Sequence, residues 1–324
     1  MRAGGAVEVA GAVEKAGALE IVEVSPRDGL QNEQRIASTE AKLDLVDRLI
    51  DAGARRIEAV SFVHPKLVPT MADAEEVMAR VPRRDGIRYI GLALNERGVR
   101  RAIDAGVDEV NFVIPATEAF ALANQNTTRA RLLDELAAVA PLLQDAGLGL
   151  TLTVAVAFGC PFSGEVDPDE VARVVAEAAR RAEFAELALA DTIGCAVPEQ
   201  VRSLFAREEV RAHSRLRAHF HETRRTAIAN AFAALSAGVR ALDSSVGGLG
   251  GCPFAPGAAG NVATEDLVWA LERSGRATGI DAESATEAGR VICAAVGVSP
   301  RSGLAAAGAF PPQTPLAVPR QSHR

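Results

Sequence analysis

Two histidines separated by one residue, His219-Phe220-His221, are the densest chemical signal in the chain. They close a short run, Leu216–Phe220, that reads as a β-strand. Side chains at positions i and i+2 of a strand share a face, so both imidazoles point one way and Phe220 the other. Two imidazoles beside a carboxylate can hold a divalent cation. The same pair could equally be two hydrogen-bonded histidines of a core. Asp28 offers a carboxylate and Asn261 an amide oxygen. Such a mixed nitrogen and oxygen set suits Mg²⁺ or Mn²⁺, and ligand type alone also allows zinc.

Arg27 precedes Asp28 where a first strand ends. A surface ion pair has this look, but at the mouth of a strand Arg27 offers a planar fork of donors to an oxyanion. Glu58 interrupts an apolar strand between Ile57, Ala59 and Val60. A charge there needs a partner, and Arg27 is the nearest logical one. Cys252 lies in GGLGGCPFAPGAAGN (247–261), where six of fifteen residues are Gly and Pro253 and Pro256 interrupt any helix. A loop of that composition can cover a site, and a thiol on it reads as a proton-transfer group. Cys160, Cys195 and Cys293 read instead as small buried hydrophobes. None of the four cysteines forms a CxxC pair, so neither a zinc ribbon nor a disulfide framework is expected, and a reducing cytoplasm fits.

The elements that must position these groups are legible as alternating runs. Strands are expected at Ile21–Val24, Arg56–Val60, Tyr89–Leu94, Glu109–Ile114, Gly149–Ala155, Glu186–Ala190, Leu216–Phe220 and Ala241–Val246. Helical spacing marks Thr39–Ala52, Glu170–Ala182 and Thr226–Ala237 between them. Eight strand–helix units predict a single α/β domain, a closed (β/α)8 TIM barrel, whose functional groups gather where the strands end. The competing open doubly wound sheet lacks its Gly-rich phosphate turn, since Val24 is followed by Ser25-Pro26-Arg27-Asp28-Gly29.

The 324 residues are 48% hydrophobic and 24% charged, a balance that supports a full globular core. A formal net charge of −7 argues against a general nucleic-acid or membrane-surface binder. No run approaches the roughly 20 apolar residues of a membrane span. The Ala/Gly/Val-rich segment 1–18 fits neither a signal peptide nor a mitochondrial leader and reads as low-complexity. Residues 19–305 form the expected barrel domain, and the proline-rich tail, 306–324, is expected to be disordered.

Six segments then combine into one resemblance. SPRDGLQNE (25–33), SFVHPKLVPTMAD (61–73), GCPFSG (159–164), LADTIG (189–194), HFHET (219–223) and GLGGCPFAPGAAGNVATEDL (248–267) resemble, in order, the hydroxymethylglutaryl-CoA lyase family. The resemblance implies a lyase barrel of pyruvate carboxyltransferase type, acting on an acyl-CoA in leucine degradation and ketone-body formation, and a homo-oligomer, a dimer. It implies a divalent cation, Mg²⁺ or Mn²⁺, on Asp28, His219, His221 and Asn261. Its catalytic set would be Arg27, Asp28, Glu58, His219 and Cys252, with Asp191 at the site edge. The implied reaction is retro-Claisen cleavage of hydroxymethylglutaryl-CoA to acetyl-CoA and acetoacetate. Other expectations are cleavage of another 3-hydroxy-acyl-CoA, such as citramalyl-CoA to pyruvate and acetyl-CoA, an aldolase or condensing enzyme, and a metal-binding barrel without turnover. Four departures from the familiar pattern bear on the substrate. Ser25 stands at an expected Gly and His64 at an expected Ser, while Glu222 replaces Asp or Asn and Arg224-Arg225 replaces a neutral-plus-Gly turn. Those arginines are expected on the site face, toward a carboxylate or the CoA phosphates, or else in solvent.

Overall fold

The structure, a computed structural model, describes residues 19–251, 260–308 and 310. Eight parallel strands close into a barrel: β1 (Glu20–Glu23), β2 (Arg56–Ser61), β3 (Arg88–Ala93), β4 (Glu109–Pro115), β5 (Gly149–Ala155), β6 (Glu186–Asp191), β7 (Leu216–Phe220) and β8 (Ala241–Ser244). Each pairs with its sequence neighbours, and β8 closes on β1 with Glu20 opposite Ala241 and Glu23 opposite Ser244. The expected strands are all present. The last ends two residues early, because Ser245 bridges to Ala263 and Gly247 and Gly248, at φ 67° and 63°, bend the chain away. A small antiparallel pair, Gly159–Cys160 with Gly164–Glu165, was not expected.

Helices wrap the outside because their apolar residues recur on one face. In Thr39–Asp51 the Ser38 hydroxyl accepts from Ala41 N at 3.2 Å, satisfying one of the free N–H groups of the first turn. Leu45, Val46, Leu49 and Ile50 then form a buried stripe. Gly53, at φ 109°, leads the chain into β2, where a Cβ would lie 2.1 Å from Gly279 O. The helices Pro168–Ala179 and Ala227–Ser236 repeat the pattern. One apolar shell between strands and helices forms the core. Among the described residues, no helix is long and apolar enough to cross a membrane.

Inside the barrel, the layers are polar where such barrels are ordinarily filled by branched aliphatic side chains. Arg56 donates to Glu109 (2.6 Å to Oε1), to Glu186 (2.6 Å to Oε2) and to Glu20 (2.9 Å). Thr151 Oγ1 donates to Glu109 at 2.6 Å. One layer higher, Asn111 Nδ2 donates to Glu58 at 2.9 Å, and Thr153 Oγ1 to Asn111 Oδ1 at 2.7 Å.

Two buried acids hold the base of the Gly-rich segment. Glu23 accepts from Ser25 N (2.9 Å), Val246 N (3.3 Å) and Thr264 Oγ1 (2.6 Å), while Glu265 accepts from Gly247 N at 3.1 Å. Burial, only partly offset by these donors, pushes both carboxyls up to about 7. Their folded values exceed the unfolded one. The stability they contribute is therefore complete below about pH 4.5 and lost as pH rises through about 7. Urea unfolding should show the protein less stable at pH 8 than at pH 5 by on the order of 2–3 kcal/mol for each of these groups. The double variant Glu23→Gln, Glu265→Gln should lose that part of the slope. An identical slope in parent and variant would contradict the assignment.

Candidate active site

The first βα turn delivers two of the functional groups. Gly29 N donates to Val24 O at 3.1 Å across a wide turn of π type, a distortion common at functional sites. Gly29 is required there because a Cβ would stand 2.8 Å from Ser245 Oγ. The turn buries Arg27, whose guanidinium reaches Glu58 from Nε (2.9 Å) and Nη2 (2.5 Å) and Asp28 from Nη1 (2.6 Å). The Arg27–Glu58 partnership expected from the sequence is thus present, and Asn111 occupies the other Glu58 oxygen. Four donors fix the two side chains, so the fork is held in one orientation.

His219, at the end of β7, and His221, just past it, lie with ring centroids 5.0 Å apart. Phe220 is buried on the opposite side against Phe158, at 6.2 Å. Ligand atoms of Asp28, His219 and His221 all fall within 4.8 Å of one another. Asn261 joins them: its Nδ2 donates to Asp28 Oδ2 (2.7 Å) and Leu249 O (3.0 Å). Burial disfavours the Asp28 anion, but Arg27 and the two histidines outweigh it and hold the carboxyl well below its usual range. Burial likewise pushes the His219 imidazole down, yet the hydrogen bond and charge of Asp243 leave it raised.

These residues fit a divalent cation on two grounds. Asn261 Oδ1 is buried without a hydrogen-bond partner, as a ligand atom awaiting a cation would be, and His221 brings Nε2 to 3.8 Å from Asp28 Oδ2. Charge also points there. Three guanidinium groups, Arg27, Arg56 and Arg217, face five carboxylates, Asp28, Glu58, Glu109, Glu186 and Asp243, along the barrel axis. Carboxylates outnumber guanidinium groups there even when Arg215, 3.6 Å from Glu186, is included.

Above these groups opens a cavity of about 200 Å³. Arg27, Asn111, Thr153 and His219 line its polar side, and Val63, Val68, Leu92, Leu94, Val113 and Phe120 its apolar wall. A larger cavity, about 570 Å³, lies at the opposite barrel end around Leu19, Arg215 and Arg240 and contains none of the candidate residues. Size does not mark the site here; converging polar groups do.

Several expectations require correction. Asp191 is not at the site edge: it is fully buried, and its carboxylate accepts from Cys195 N (2.9 Å) and Ala196 N (3.0 Å), clamping the loop after β6. Arg224 is exposed, and its Nη1 donates to Gly194 O (2.8 Å) and Ile193 O (3.3 Å). Arg225 is exposed and keeps the left-handed backbone (φ 59°) of the Gly it was expected to replace. His64 is exposed on the loop after β2 and accepts from Lys66 N at 3.2 Å. Cys160 and Cys293 are buried as expected, whereas Cys195, expected to be buried with them, is only partly so. Burial pushes the thiols of Cys195 and Cys293 up to about 12, which makes them inert. Cys252 lies outside the described residues. The sequence reading missed Asp243, Asn111 and Thr153, although each is a polar residue inside an otherwise apolar strand, the signal that singled out Glu58.

The HMGL-like family model matches residues 18–292, which takes in every strand of the barrel and all of the candidate residues. The chain belongs to the HMGL-like family. The hydroxymethylglutaryl-CoA lyase of Pseudomonas mevalonii is 43% identical to this family member over 89% of this chain and 97% of its own. The human mitochondrial hydroxymethylglutaryl-CoA lyase is 40% identical over 93% of each chain. A Pseudomonas aeruginosa enzyme named 3-hydroxy-3-isohexenylglutaryl-CoA/hydroxymethylglutaryl-CoA lyase is 41% identical over 89% of this chain and 96% of its own. Among solved structures, an Acinetobacter baumannii HMG-CoA lyase in complex with coenzyme A and 3-methylmalate superposes with a TM-score of 0.89 at 39% identity, covering 94% of this chain and all of that one. These relatives are carbon–carbon lyases, and this HMGL-like barrel is an enzyme of that type.

Proposed function

We propose that this HMGL-like enzyme cleaves 3-hydroxy-3-methylglutaryl-CoA to acetoacetate and acetyl-CoA. The observation that carries the reading is the convergence of Asp28, His219, His221 and Asn261 directly beside the buried Arg27–Glu58 pair. Metal binding alone would need no second, precisely held cation next to the ligands. In this reading Asp28, His219, His221 and Asn261 hold a divalent ion, Mg²⁺ or Mn²⁺. When bound, it would supply positive charge to the substrate's carboxylate and 3-hydroxyl and make that hydroxyl more acidic. Cleavage of the C2–C3 bond leaves negative charge on the thioester oxygen. Arg27, fixed by Glu58 and Asn111, presents donors to that oxygen with little reorganisation, which is how such groups lower a barrier. Cys252 is the proposed proton carrier toward the departing carbon, and His219 acts through the cation it would hold. Arg27, Asn111 and Thr153 would orient the acyl group against the polar side of the cavity.

The test is product analysis. With Mg²⁺ or Mn²⁺, acetoacetate and acetyl-CoA should appear in equal amounts from hydroxymethylglutaryl-CoA. A parallel panel should contain citramalyl-CoA and an ester with a longer 3-alkyl group. The apolar wall from Val63 to Phe120 supports the latter as a second reading, because it could take a substituent larger than methyl. Pyruvate from citramalyl-CoA, with no acetoacetate from hydroxymethylglutaryl-CoA, would overturn the first.

Cys252 is proposed as a reactive thiol by its place in the Gly-rich segment. Iodoacetamide should inactivate the enzyme by modifying Cys252, and bound substrate should slow that loss. Peptide mapping that finds inactivation with Cys252 unmodified would remove it from the mechanism.

A further inference from the structure

Asp243 lies beside His219 and lines the same cavity. His219 Nδ1 lies 3.1 Å from Asp243 Oδ2, and both groups are buried. The other oxygen, Oδ1, has no hydrogen-bond partner and lies 3.5 Å from Arg217 Nε. Arg217 precedes His219 by two residues on β7, so it faces the same interior one layer deeper. Its side chain is fully buried, and Nε, Nη1 and Nη2 all lack hydrogen-bond geometry. Glu186, 3.3 Å away, is its other carboxylate, and Arg56 holds Glu186 in turn with bonds of 2.6 and 3.0 Å. A line of alternating charge therefore runs from His219 through Asp243, Arg217, Glu186 and Arg56 to Glu109.

A buried guanidinium without hydrogen bonds is costly. Packing does not explain one at this position, since an aliphatic residue would fill the same layer. What an arginine adds is a positive charge beside Asp243. We infer that Asp243, held by Arg217, is a positioning residue that fixes the His219 ring and its tautomer, with the proton on Nδ1 and Nε2 turned toward the cation. A ligand histidine commonly gives its second N–H to a carboxylate in this way, which orients the ring and raises its basicity. Arg217 draws one oxygen of Asp243 down the axis and leaves the other for His219. The inference rests on the proposed cation site.

The test is Mn²⁺ binding followed by electron paramagnetic resonance of the free ion. The unmodified protein should take up one Mn²⁺, and Asp243→Asn, shown folded by circular dichroism, should bind it about 10–100-fold more weakly. Uptake in Asp243→Asn equal to that of the parent would overturn the assignment, even if turnover fell, because a group acting only on substrate would not alter ion affinity. No uptake by the parent would overturn the cation site itself, and this inference with it. The unmodified protein provides a check that needs no variant. In its Mg²⁺-loaded form, histidine ¹⁵N–¹H correlation should place the His219 proton on Nδ1. A proton on Nε2 would overturn the proposal.

Discussion

Replacing Arg27 by lysine should leave the barrel folded and lower kcat by about 10²–10³, the usual cost of losing one oxyanion donor. Lysine keeps the charge but not the fork. Arg27 uses Nε and Nη2 on Glu58 and Nη1 on Asp28, so one planar group sets both carboxylates at once. An ammonium on a flexible stem can meet one of them, and it carries no fixed plane to aim at the developing charge. KM should move little if the donor matters only as charge develops. Steady-state kinetics on the purified Lys variant, with thermal unfolding as control, provides the check. Near-normal kcat would take Arg27 out of the chemistry.

The second large effect concerns the cation. His221→Ala should weaken Mn²⁺ binding by more than about 100-fold, beyond what changing a group behind a ligand costs. Activity at limiting metal should fall with it. The ring is buried, and its Nδ1 has no partner in the protein, so its removal breaks no internal hydrogen bond at that atom. The cost in stability should therefore be that of a small cavity, while the cost in ion binding is large. Calorimetric titration with Mn²⁺ separates the two. Unchanged affinity in a folded His221→Ala protein would show that this imidazole is not a ligand.

Much of this site was legible in the residues because strand periodicity converts spacing into direction. His219 and His221, two apart, had to share a side, and Glu58 inside an apolar strand had to find a cation. The barrel was legible for a related reason: eight apolar strands alternating with helical stripes suit a closed parallel sheet, and the Gly-rich phosphate turn of an open doubly wound sheet is missing after Val24. Direction around a loop is a different matter. Asp191 is the last residue of β6, but only tertiary structure shows its carboxylate turned onto Cys195 N and Ala196 N and away from the cavity. Arg224 sits three residues past His221, the bridge residue after β7, and the carbonyls that accept from its Nη1 belong to another loop. The polar interior was written in the sequence as well. Arg56 and Glu58, Glu109 and Asn111, Thr151 and Thr153, and Arg217 and His219 are each separated by one residue. Their meaning depends on which side of the strand faces the axis, and single-strand patterns do not say which partners that axis brings together. Asp243 was missed on those terms.

The central claim is that this barrel breaks a carbon–carbon bond with a divalent cation held by Asp28, His219, His221 and Asn261. The most direct measurement follows both products from hydroxymethylglutaryl-CoA with protein stripped by chelator and then resupplied with Mn²⁺. The account predicts no cleavage by the stripped protein. On addition of metal it predicts acetyl-CoA and acetoacetate in a one-to-one ratio, a response that His221→Ala loses at the same metal concentration. Equal turnover before and after metal, or full recovery in His221→Ala, would contradict it.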